Sequence, residues 1–343
     1  MKKLNIIMNE RIYKDQYYFY SENVDCKSIV EGLKERFNIK LFARKTKVEK
    51  KNKLLFLDVS LSDNIFTFLF NIISSLKDKN KSTYLIISIT PYTFFSYLIL
   101  FFFTKEVFLY LRSDGFKEYS SILGSRWVFL YSLMFYIVTK KSKIIACNEN
   151  LSRKNKFYYV EPSEIDEEWF LNQKIQKIQK NEKIKILYIG RLKVEKGIFN
   201  LIELLSKIND ININLSITGD ESKLIKISDD RIKILDYVSD KKDLISLYDN
   251  HDILILPSYT EAHPKVIDEA LSRLKPVIIF NDIKHVVKGR LGVFSTERDY
   301  AKLKEIIYFI INNYHEICND IKKNTLPTKE NFLNNLADII SNN

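Results

Sequence analysis

The sequence predicts an α/β protein built from two doubly wound domains. Short apolar runs rich in Val, Ile and Leu alternate with longer amphipathic runs through most of the 343 residues, as strands alternate with helices in parallel sheets. This pattern breaks down from Glu161 to Asn181, where charged and amide residues dominate. A chain of this length is long for one hydrophobic core, so we expect two domains joined by a linker.

The predicted domain boundaries follow that interruption. We expect an N-terminal domain at 1–165, a linker at 166–182 and a C-terminal domain at 183–325. The last helical stretch, 326–343, is expected to pack back on the N-terminal domain.

Six apolar runs in the first half predict strands, and two amphipathic runs predict helices. The strands are LNIIMN, NIKLFAR, KLLFLDVS, TYLIISIT, EVFLYLR and KIIACN, and the helices are VDCKSIVEGLKERF and NIFTFLFNIISSLK. Residues 82–104 carry no charge, and an uncharged stretch of this length can span a bilayer. Because Pro91 divides the stretch into a strand-like and a helix-like half, we prefer a strand followed by a buried helix.

A second apolar helix is predicted at 126–143. Apolar residues occupy nearly every side of it, and Lys140, Lys141 and Lys143 lie at its end. Two interpretations stay open. The helix is either covered by neighbours in a core, or it presses an apolar face into a membrane with its lysines on the headgroups.

The basic charge belongs to the first half of the chain. Residues 1–180 contain 30 Lys and Arg against 19 Asp and Glu, whereas 181–343 contain 24 of each, so the net charge of +11 lies in the first half. A solvated lysine-rich surface and a domain that faces an anionic surface both explain this. Three widely spaced cysteines without a metal-ligand pattern, and no signal peptide, lead us to expect a cytoplasmic protein.

The run LPSYTEAHPKVIDEALSRLKPVII predicts a strand, a loop, a helix and a second strand of one parallel βαβ unit. Pro264 suits the first helical position, which makes His263 the expected N-cap. Glu261 lies in the loop and Glu269 on the helix. Ligands of parallel sheets bind at the carboxyl ends of the strands, so both glutamates are expected to face a ligand.

A second candidate loop follows the strand-like run KIKILYIG. Gly190 lies at the turn and Gly197 opens the next helix, and glycines allow a ligand to approach the backbone closely. Arg191 and Lys196 place two cations near a helix N-terminus, where they are unfavourable for the helix itself. This indicates an anionic ligand such as a diphosphate, with an ordinary turn as the alternative.

Together these segments resemble one family. GRLKVEKG, ITGDES, DYVSDKKDLISLYDNHDILILPS and EAHPKVIDEA followed by PVI are similar, in order and spacing, to the nucleotide-binding domain of the retaining glycosyltransferases of family four. The resemblance extends from about Lys183 to Gly292. It implies the GT-B fold, in which two Rossmann-like domains face each other across a cleft.

The resemblance also implies roles for individual residues. Arg191 and Lys196 match the pair that neutralises the diphosphate of a nucleotide-sugar donor. Glu261 matches the carboxylate that contacts the donor sugar, and Glu269 the one that binds the ribose hydroxyls. The alternative is that Glu269 only pairs with Lys265 along the helix and that Glu261 is a solvated loop residue.

The complete set of expected site residues contains two classes. The catalytic residues are Arg191, Lys196 and Glu261, and the donor-binding residues are Gly190, Gly219, Asp220, Val238, Ala262, His263, Pro264, Lys265 and Glu269. We expect no cofactor and no metal site, because the chain contains no Asp-x-Asp sequence and the donor, UDP- or GDP-linked, is a substrate.

The first half departs from the family pattern. The usual glycine-rich loop is replaced by the tyrosine-rich NERIYKDQYYFYSENVD, and all four histidines lie in the second half. The place of the acceptor-side histidine is taken by LRSDGF. Arg112, Ser113 and Asp114 are therefore the expected acceptor-binding residues, although Ser-Asp-Gly is also an ordinary turn sequence.

The resulting hypothesis is a retaining, metal-independent glycosyltransferase for bacterial surface polysaccharide, with a saccharide acceptor carried on a lipid. Its basic first half suggests a peripheral position on an anionic membrane surface at the inner face of the cell membrane. Alternatives are a nucleotide-sugar epimerase or phosphorylase of the same fold, an inactive sugar-nucleotide sensor, or a basic binding protein. Nucleic acid is not an expected partner, because the aromatic residues lie within apolar runs rather than between lysines.

Overall fold

The computed structural model describes residues 1–55, 58–77, 82–103, 105–175, 178, 183–219, 229–238 and 240–342. Contacts divide the chain into two units. The first contains Met1–Pro162 and the C-terminal residues from Glu330 onward, and the second contains Ser163–Lys329. No helix among these described residues is long and apolar enough to cross a membrane.

The first unit is built on a mostly parallel sheet. Its strands are β1 (Lys2–Lys14), β2 (Phe19–Ser21), β3 (Phe37–Thr46), β4 (Asn52–Leu54), β5 (Val59–Ser62), β6 (Ser82–Ile87), β7 (Val107–Leu111), β8 (Lys143–Ala146) and β9 (Phe157–Tyr159). The parallel strands follow the order β5-β3-β1-β6-β7-β8-β9, and the short strands β2 and β4 extend the end of β1 in antiparallel pairing. The order reverses beside β1, as a doubly wound sheet requires.

Helices connect these strands. They are α1 (Val24–Leu33), α2 (Ile65–Ser75), α3 (Pro91–Phe102), α4 (Gly115–Leu123), α5 (Val128–Thr139) and α6 (Glu149–Ser152). Helix α3 begins with Pro91 in its first turn and with a capping box formed by Thr90 and Thr93, so the uncharged stretch is a strand followed by a helix, as predicted. The prediction that this helix is buried is wrong on one side, where Phe95 and Phe102 are exposed.

The prediction of a single strand in KLLFLDVS is wrong. Its ends belong to two short strands with different neighbours, since β4 pairs antiparallel with β2 and β5 pairs parallel with β3. Residues 56–57 between them lie outside the described part of the chain. Apolar composition alone could not show that the two halves join different parts of the sheet.

The C-terminal helix, Lys329–Asn342, completes the core of the first unit. Phe332, Leu336 and Ile340 are buried with residues of α1 and of the strands. Gly32 on α1 meets Leu333 so closely that a Cβ at this glycine would lie 2.3 Å from a leucine methyl carbon. The chain therefore returns to its first unit after building the second.

The second unit contains a fully parallel sheet. Its strands are β10 (Ile184–Ile189), β11 (Ile213–Thr218), β12 (Ile232–Ile234), β13 (Ile253–Leu256), β14 (Val277–Phe280) and β15 (Val293–Thr296), in the order β12-β11-β10-β13-β14-β15. Its helices are α7 (Ile198–Ser206), α8 (Lys241–Asp249), α9 (Lys265–Ser272), α10 (Tyr300–Asn312) and α11 (Tyr314–Ile321). The strand order reverses between β10 and β13, which is where ligands of such sheets bind.

The start of the expected linker is part of the second unit. Ile165 and Trp169 are buried in its core. The buried guanidinium of Arg273 donates hydrogen bonds of 2.8 Å to the carbonyls of Trp169 and Leu171, and it also binds the Asp249 carboxylate. These contacts place residues from Ser163 onward within the second unit, whereas the sequence placed the linker at 166–182.

Candidate functional site

The loops after β10 and β13 form the candidate site, at the position where the strand order reverses. Ile189 at the end of β10 lies in register with Thr218 at the end of β11. Immediately beyond them, a Cβ on Gly219 would lie 1.9 Å from the carbonyl oxygen of Gly190. A side chain at Gly219 would therefore prevent the two strand ends from approaching each other, whereas a Cβ on Gly190 would meet the Tyr188 hydroxyl at 2.9 Å.

The two loops pack directly on each other. Gly197 has a left-handed backbone, with φ of +68°, and a Cβ there would lie 2.0 Å from the carbonyl oxygen of Pro257. The Tyr259 N–H donates a 3.0 Å hydrogen bond to the Glu195 carbonyl. Backbone contacts alone therefore hold the first loop against the second.

Replacing Gly197 with alanine is expected to destabilise the second unit by at least about 2 kcal/mol, since backbone strain and a backbone clash add together. The matched control is Gly289→Ala, where φ is +73° and the added methyl meets no heavy atom within 4 Å. For this control the free energy of unfolding is expected to fall by only about 1 kcal/mol. Scanning calorimetry measures the stability of both variants. Equal losses of stability would contradict the close approach of Gly197 to the Pro257 carbonyl.

The predicted catalytic residues Lys196 and Glu261 meet in an ion pair. Lys196 Nζ lies 2.5 Å from Glu261 Oε1, and the Ser258 hydroxyl donates a 2.7 Å hydrogen bond to the same oxygen. Their side chains are 17% and 12% exposed. A poorly solvated cation and carboxylate therefore neutralise each other at the switch point of the sheet.

Arg191 lies in the same loop with its side chain exposed. Among the residues that the structure describes, its guanidinium makes no ion pair. The backbone of this residue is held, because the Tyr188 hydroxyl donates a 2.8 Å hydrogen bond to the Arg191 carbonyl. Burial raises the pKa of Tyr188, so this hydroxyl stays a donor. The fixed backbone and the exposed cation suit recruitment of an anionic ligand.

The sequence did not indicate Arg298, which supports the second loop. Its guanidinium donates hydrogen bonds to the carbonyls of Pro257, at 2.8 Å, and Ser258, at 3.1 Å. It also stacks on the Tyr259 ring, 3.9 Å from the ring centroid. This arginine follows β15, far along the chain from the loop that it supports, so the sequence motif of that loop does not contain it.

Glu269 is buried on α9 and accepts a 2.8 Å hydrogen bond from the Tyr248 hydroxyl. Burial raises the pKa of this carboxyl from 4.5 to about 7, against the opposing effect of Tyr248. The alternative partner Lys265 binds Glu164 instead, with 3.1 Å between Nζ and Oε1. Glu269 is therefore held by the core and not by the pairing along the helix that the sequence allowed.

The prediction that His263 caps helix α9 is wrong. The helix begins at Lys265, Pro264 is the N-cap residue, and no side chain caps it. His263 Nε2 instead lies 3.4 Å from a carboxylate oxygen of the buried Asp268. Arg290 holds the same carboxylate with contacts of 2.5 and 3.0 Å. The imidazole therefore lies against the Asp268 carboxylate and does not cap the helix.

The other predicted donor-binding residues lie around these loops. Ala262, Pro264 and Lys265 are half-buried at the start of α9, and Val238 is half-buried in the loop after β12. Asp220 lies outside the described residues. Over the described ranges, no cluster of His, Cys, Asp and Glu side chains could hold a metal ion.

The expected acceptor-binding residues lie together at the end of β7, but two of them already have partners. Arg112 pairs with Asp25 at the start of α1. Asp114 is the N-cap of α4, where it accepts a 3.1 Å hydrogen bond from the Phe116 N–H. Ser113 is half-buried between them. Asp114 therefore has a structural role as a helix cap, which differs from the ordinary turn that the sequence allowed.

A half-buried carboxyl that the sequence did not single out lies near Arg112. Burial raises the pKa of Glu10, and the charge of Arg112 opposes that shift. The Ser21 hydroxyl donates a 3.3 Å hydrogen bond to Glu10. Glu10 lies in the tyrosine-rich segment that was expected to be a loop, but the first part of that segment continues β1 to Lys14, so the prediction of a loop there is wrong.

Sequence comparison finds a family model that is similar to most of the second unit. Residues 171–326 match the family model described as glycosyl transferases group 1. The capsular polysaccharide biosynthesis glycosyltransferase CapM of Staphylococcus aureus is 29% identical over 157 residues, which are 42% of this chain and 40% of CapM. The chain thus aligns with about two fifths of that relative.

Structural comparison covers both units. The sucrose-phosphate synthase of Thermosynechococcus elongatus superposes with a TM-score of 0.69 at 14% identity, over 98% of each chain. WaaG, a glycosyltransferase involved in lipopolysaccharide biosynthesis, gives 0.67 at 14% identity over 99% of this chain and 100% of its own. The predicted α/β class with parallel sheets is confirmed. The chain has the GT-B fold, and its residues 171–326 are similar to the group 1 glycosyltransferases.

Proposed function

We propose that the protein is a retaining glycosyltransferase that moves a sugar from a nucleotide diphosphate sugar to a saccharide acceptor. The observation that carries this proposal is the Lys196–Glu261 ion pair beside the exposed Arg191, at the switch point of the second sheet. Two cations and a carboxylate at one ligand-binding edge match a donor that joins a diphosphate to a polyhydroxylated sugar.

In this proposal the ion pair exchanges partners when the donor binds. Lys196 turns to the diphosphate and Glu261 accepts hydrogen bonds from the sugar hydroxyls, so neither charged group is left without a partner. When the bond to the anomeric carbon breaks, negative charge develops on the diphosphate. Lys196 and Arg191 are already in place to stabilise it, which lowers the barrier. These two cations serve the leaving group, so the proposed reaction is metal-independent.

In this proposal the nucleotide binds at α9, the helix that carries Glu269. A carboxylate that accepts hydrogen bonds from two vicinal hydroxyls is a natural ribose ligand. The nearby Tyr248 hydroxyl, at 2.8 Å, fixes one carboxylate oxygen and orients the other. A UDP- or GDP-linked sugar is the proposed donor, with Gly190, Gly219 and the backbone of residues 262–265 as further contacts.

The acceptor side of the proposal rests on the first unit and on the relatives. CapM and WaaG act in capsular polysaccharide and lipopolysaccharide biosynthesis. We therefore propose a saccharide acceptor carried on a lipid, bound near Arg112, Ser113 and Asp114, and a place of action at the inner face of the cell membrane.

A thermal-shift screen with UDP, GDP, ADP and their sugars, followed by product analysis, tests this function. One nucleotide class is expected to raise the melting temperature by mass action. With acceptor present, NMR is expected to show a new glycosidic bond with the anomeric configuration of the donor. An altered sugar formed from donor alone would instead establish an epimerase, and binding without turnover would establish a sensor.

A further inference from the structure

The two helix layers of the first unit have different outer surfaces. On one side of the sheet, the C-terminal helix buries Leu336 and presents polar residues outward, among them Asn331, Asn334, Asn335 and Asp338. On the other side, α3 contacts both α2 and α5. These three helices expose large apolar side chains instead, among them Phe66, Phe70, Phe95, Phe102, Phe129 and Leu133.

The exposed apolar residues of α5 form one stripe. Phe129, Leu133 and Tyr136 are spaced by four and three residues, which places them on one side of a helix. Phe129 is 78% exposed and Tyr136 is 64% exposed, although the opposite side of α5 is packed in the unit. Lys140 continues the stripe, with its ammonium 5.8 Å from the centroid of the Tyr136 ring.

The segment between α4 and α5 extends this surface. All residues from 122 to 127 are exposed, including Ile122, Leu123 and Trp127. At the other end of α5, Phe102 is 78% exposed at the end of α3. Lys141 lies beside this end, with its ammonium 4.7 Å from the centroid of the Phe101 ring. We refer to the exposed residues of 101–103 and 122–141 as the apolar face.

The charges around the apolar face are mostly positive. No Asp or Glu occurs between Glu118 and Glu149, whereas the cations Arg126, Lys140, Lys141 and Lys143 fall in that interval. Beyond α5, an open groove of about 670 Å³ contains two further exposed lysines, Lys154 and Lys156. Lys143 is paired with Glu106 at 2.7 Å, and the exposed Glu118 lies on α4, so the rim has an excess of cations rather than cations alone. Apolar side chains rimmed by an excess of lysines suit insertion among lipid chains beneath anionic headgroups.

We propose that the apolar face docks on an anionic phospholipid bilayer, with Phe129, Leu133 and Tyr136 inserted and the lysines at the headgroups. A second copy of the chain is the less suitable occupant, because a two-fold interface would bring two basic rims together. The inference deepens the proposed function by naming the surface that would bring the enzyme to a lipid-carried acceptor. The reason for docking rests on the proposed function, whereas binding to a bilayer depends only on the exposed residues of the apolar face.

Vesicle sedimentation with the full chain tests this proposal. The protein is expected to sediment with phosphatidylglycerol–phosphatidylethanolamine vesicles and much less with phosphatidylcholine vesicles. Binding is expected to weaken between ~0.05 and ~0.5 M salt, since screening shortens the reach of the lysines. The variant F129S/L133S/Y136S is expected to bind at least about tenfold more weakly, and K140E/K141E is expected to lose the preference for anionic lipid.

The matched control is Phe199→Ser, which removes a phenylalanine of the second unit that is 51% exposed, and it is expected to bind vesicles like the unaltered chain. A melting temperature without ligand that is unchanged in all variants shows intact folding, and because it needs no nucleotide it separates this test from the proposed function. The proposal is overturned if the unaltered chain ignores anionic vesicles at low salt, if the triple variant binds equally well, or if the triple substitution abolishes a dimer instead.

Discussion

Replacing Lys196 with methionine is expected to lower kcat/KM for sugar transfer by about 100- to 1000-fold, the loss typical of removing one preorganised group that stabilises developing charge. Methionine keeps most of the side-chain volume but carries no charge, so the negative charge that develops on the leaving diphosphate is no longer stabilised by this cation. Steady-state kinetics with donor and acceptor measures the effect. Lys193→Met is the matched control, because this exposed lysine lies in the same loop outside the ion pair.

The ion pair itself offers a sharper version of this test. In Lys196→Met the Glu261 carboxylate is left poorly solvated without its cation, so part of the effect is a loss of stability. The double variant K196M/E261Q is expected to recover stability because no unpaired charge remains, while turnover stays low. Full recovery of turnover in the double variant would show that the pair is structural and that the assignment of Lys196 to the diphosphate is wrong.

The sequence predicted the fold because hydrophobic periodicity is local. Alternating strand and helix patterns define a parallel sheet, and the glycine turns lie where the sheet reverses. The loops of Gly190–Gly197 and Glu261–Glu269 were identified in this way, and the structure brings Lys196 and Glu261 into contact. The spacing between the motifs could not show that the two charges neutralise each other before a ligand arrives.

Long-range contacts explain what the sequence missed. Arg298, Tyr248 and Glu10 carry no local pattern, and each is recruited by the packing of distant elements. The same cause made the assignment of His263 wrong. Helix capping follows from neighbours in the chain, but the contact with Asp268, which Arg290 holds in place, depends on the folded core.

The apolar helix near 126–143 shows a different limit of sequence reasoning. Apolar residues on nearly every side suggested either a core helix or a membrane contact. The structure shows that α5 (Val128–Thr139) combines both patterns, since Tyr131, Met134 and Phe135 are buried while Phe129 and Leu133 are exposed. Periodicity reveals a stripe only when the other side is polar, and here the exposed side is apolar as well.

Glu269→Gln is expected to remove a pH dependence of stability that the unaltered chain shows. Because the pKa of Glu269 is raised from 4.5 to about 7, the folded state holds a proton that the unfolded chain releases. The free energy of unfolding therefore falls as the pH rises from 4.5 to about 7, by at most about 3 kcal/mol for this group. Glutamine has the same shape and no charge, so the variant is expected to be the more stable protein above pH 7, which calorimetry over this pH range measures.

Donor binding is expected to depend on pH in the opposite direction. Ribose hydroxyls donate to the ionised carboxylate, so the proton on Glu269 must leave before the nucleotide binds. Affinity is then about tenfold weaker at pH ~6 than at pH ~8, where the carboxyl is already ionised. A nucleotide sugar is the suitable probe, because its doubly esterified diphosphate does not titrate near neutrality, and calorimetric titration measures the binding constant. The Glu269→Gln variant is expected to bind the nucleotide sugar weakly and equally at both pH values. A pH dependence that remains in this variant would show that another group binds the ribose.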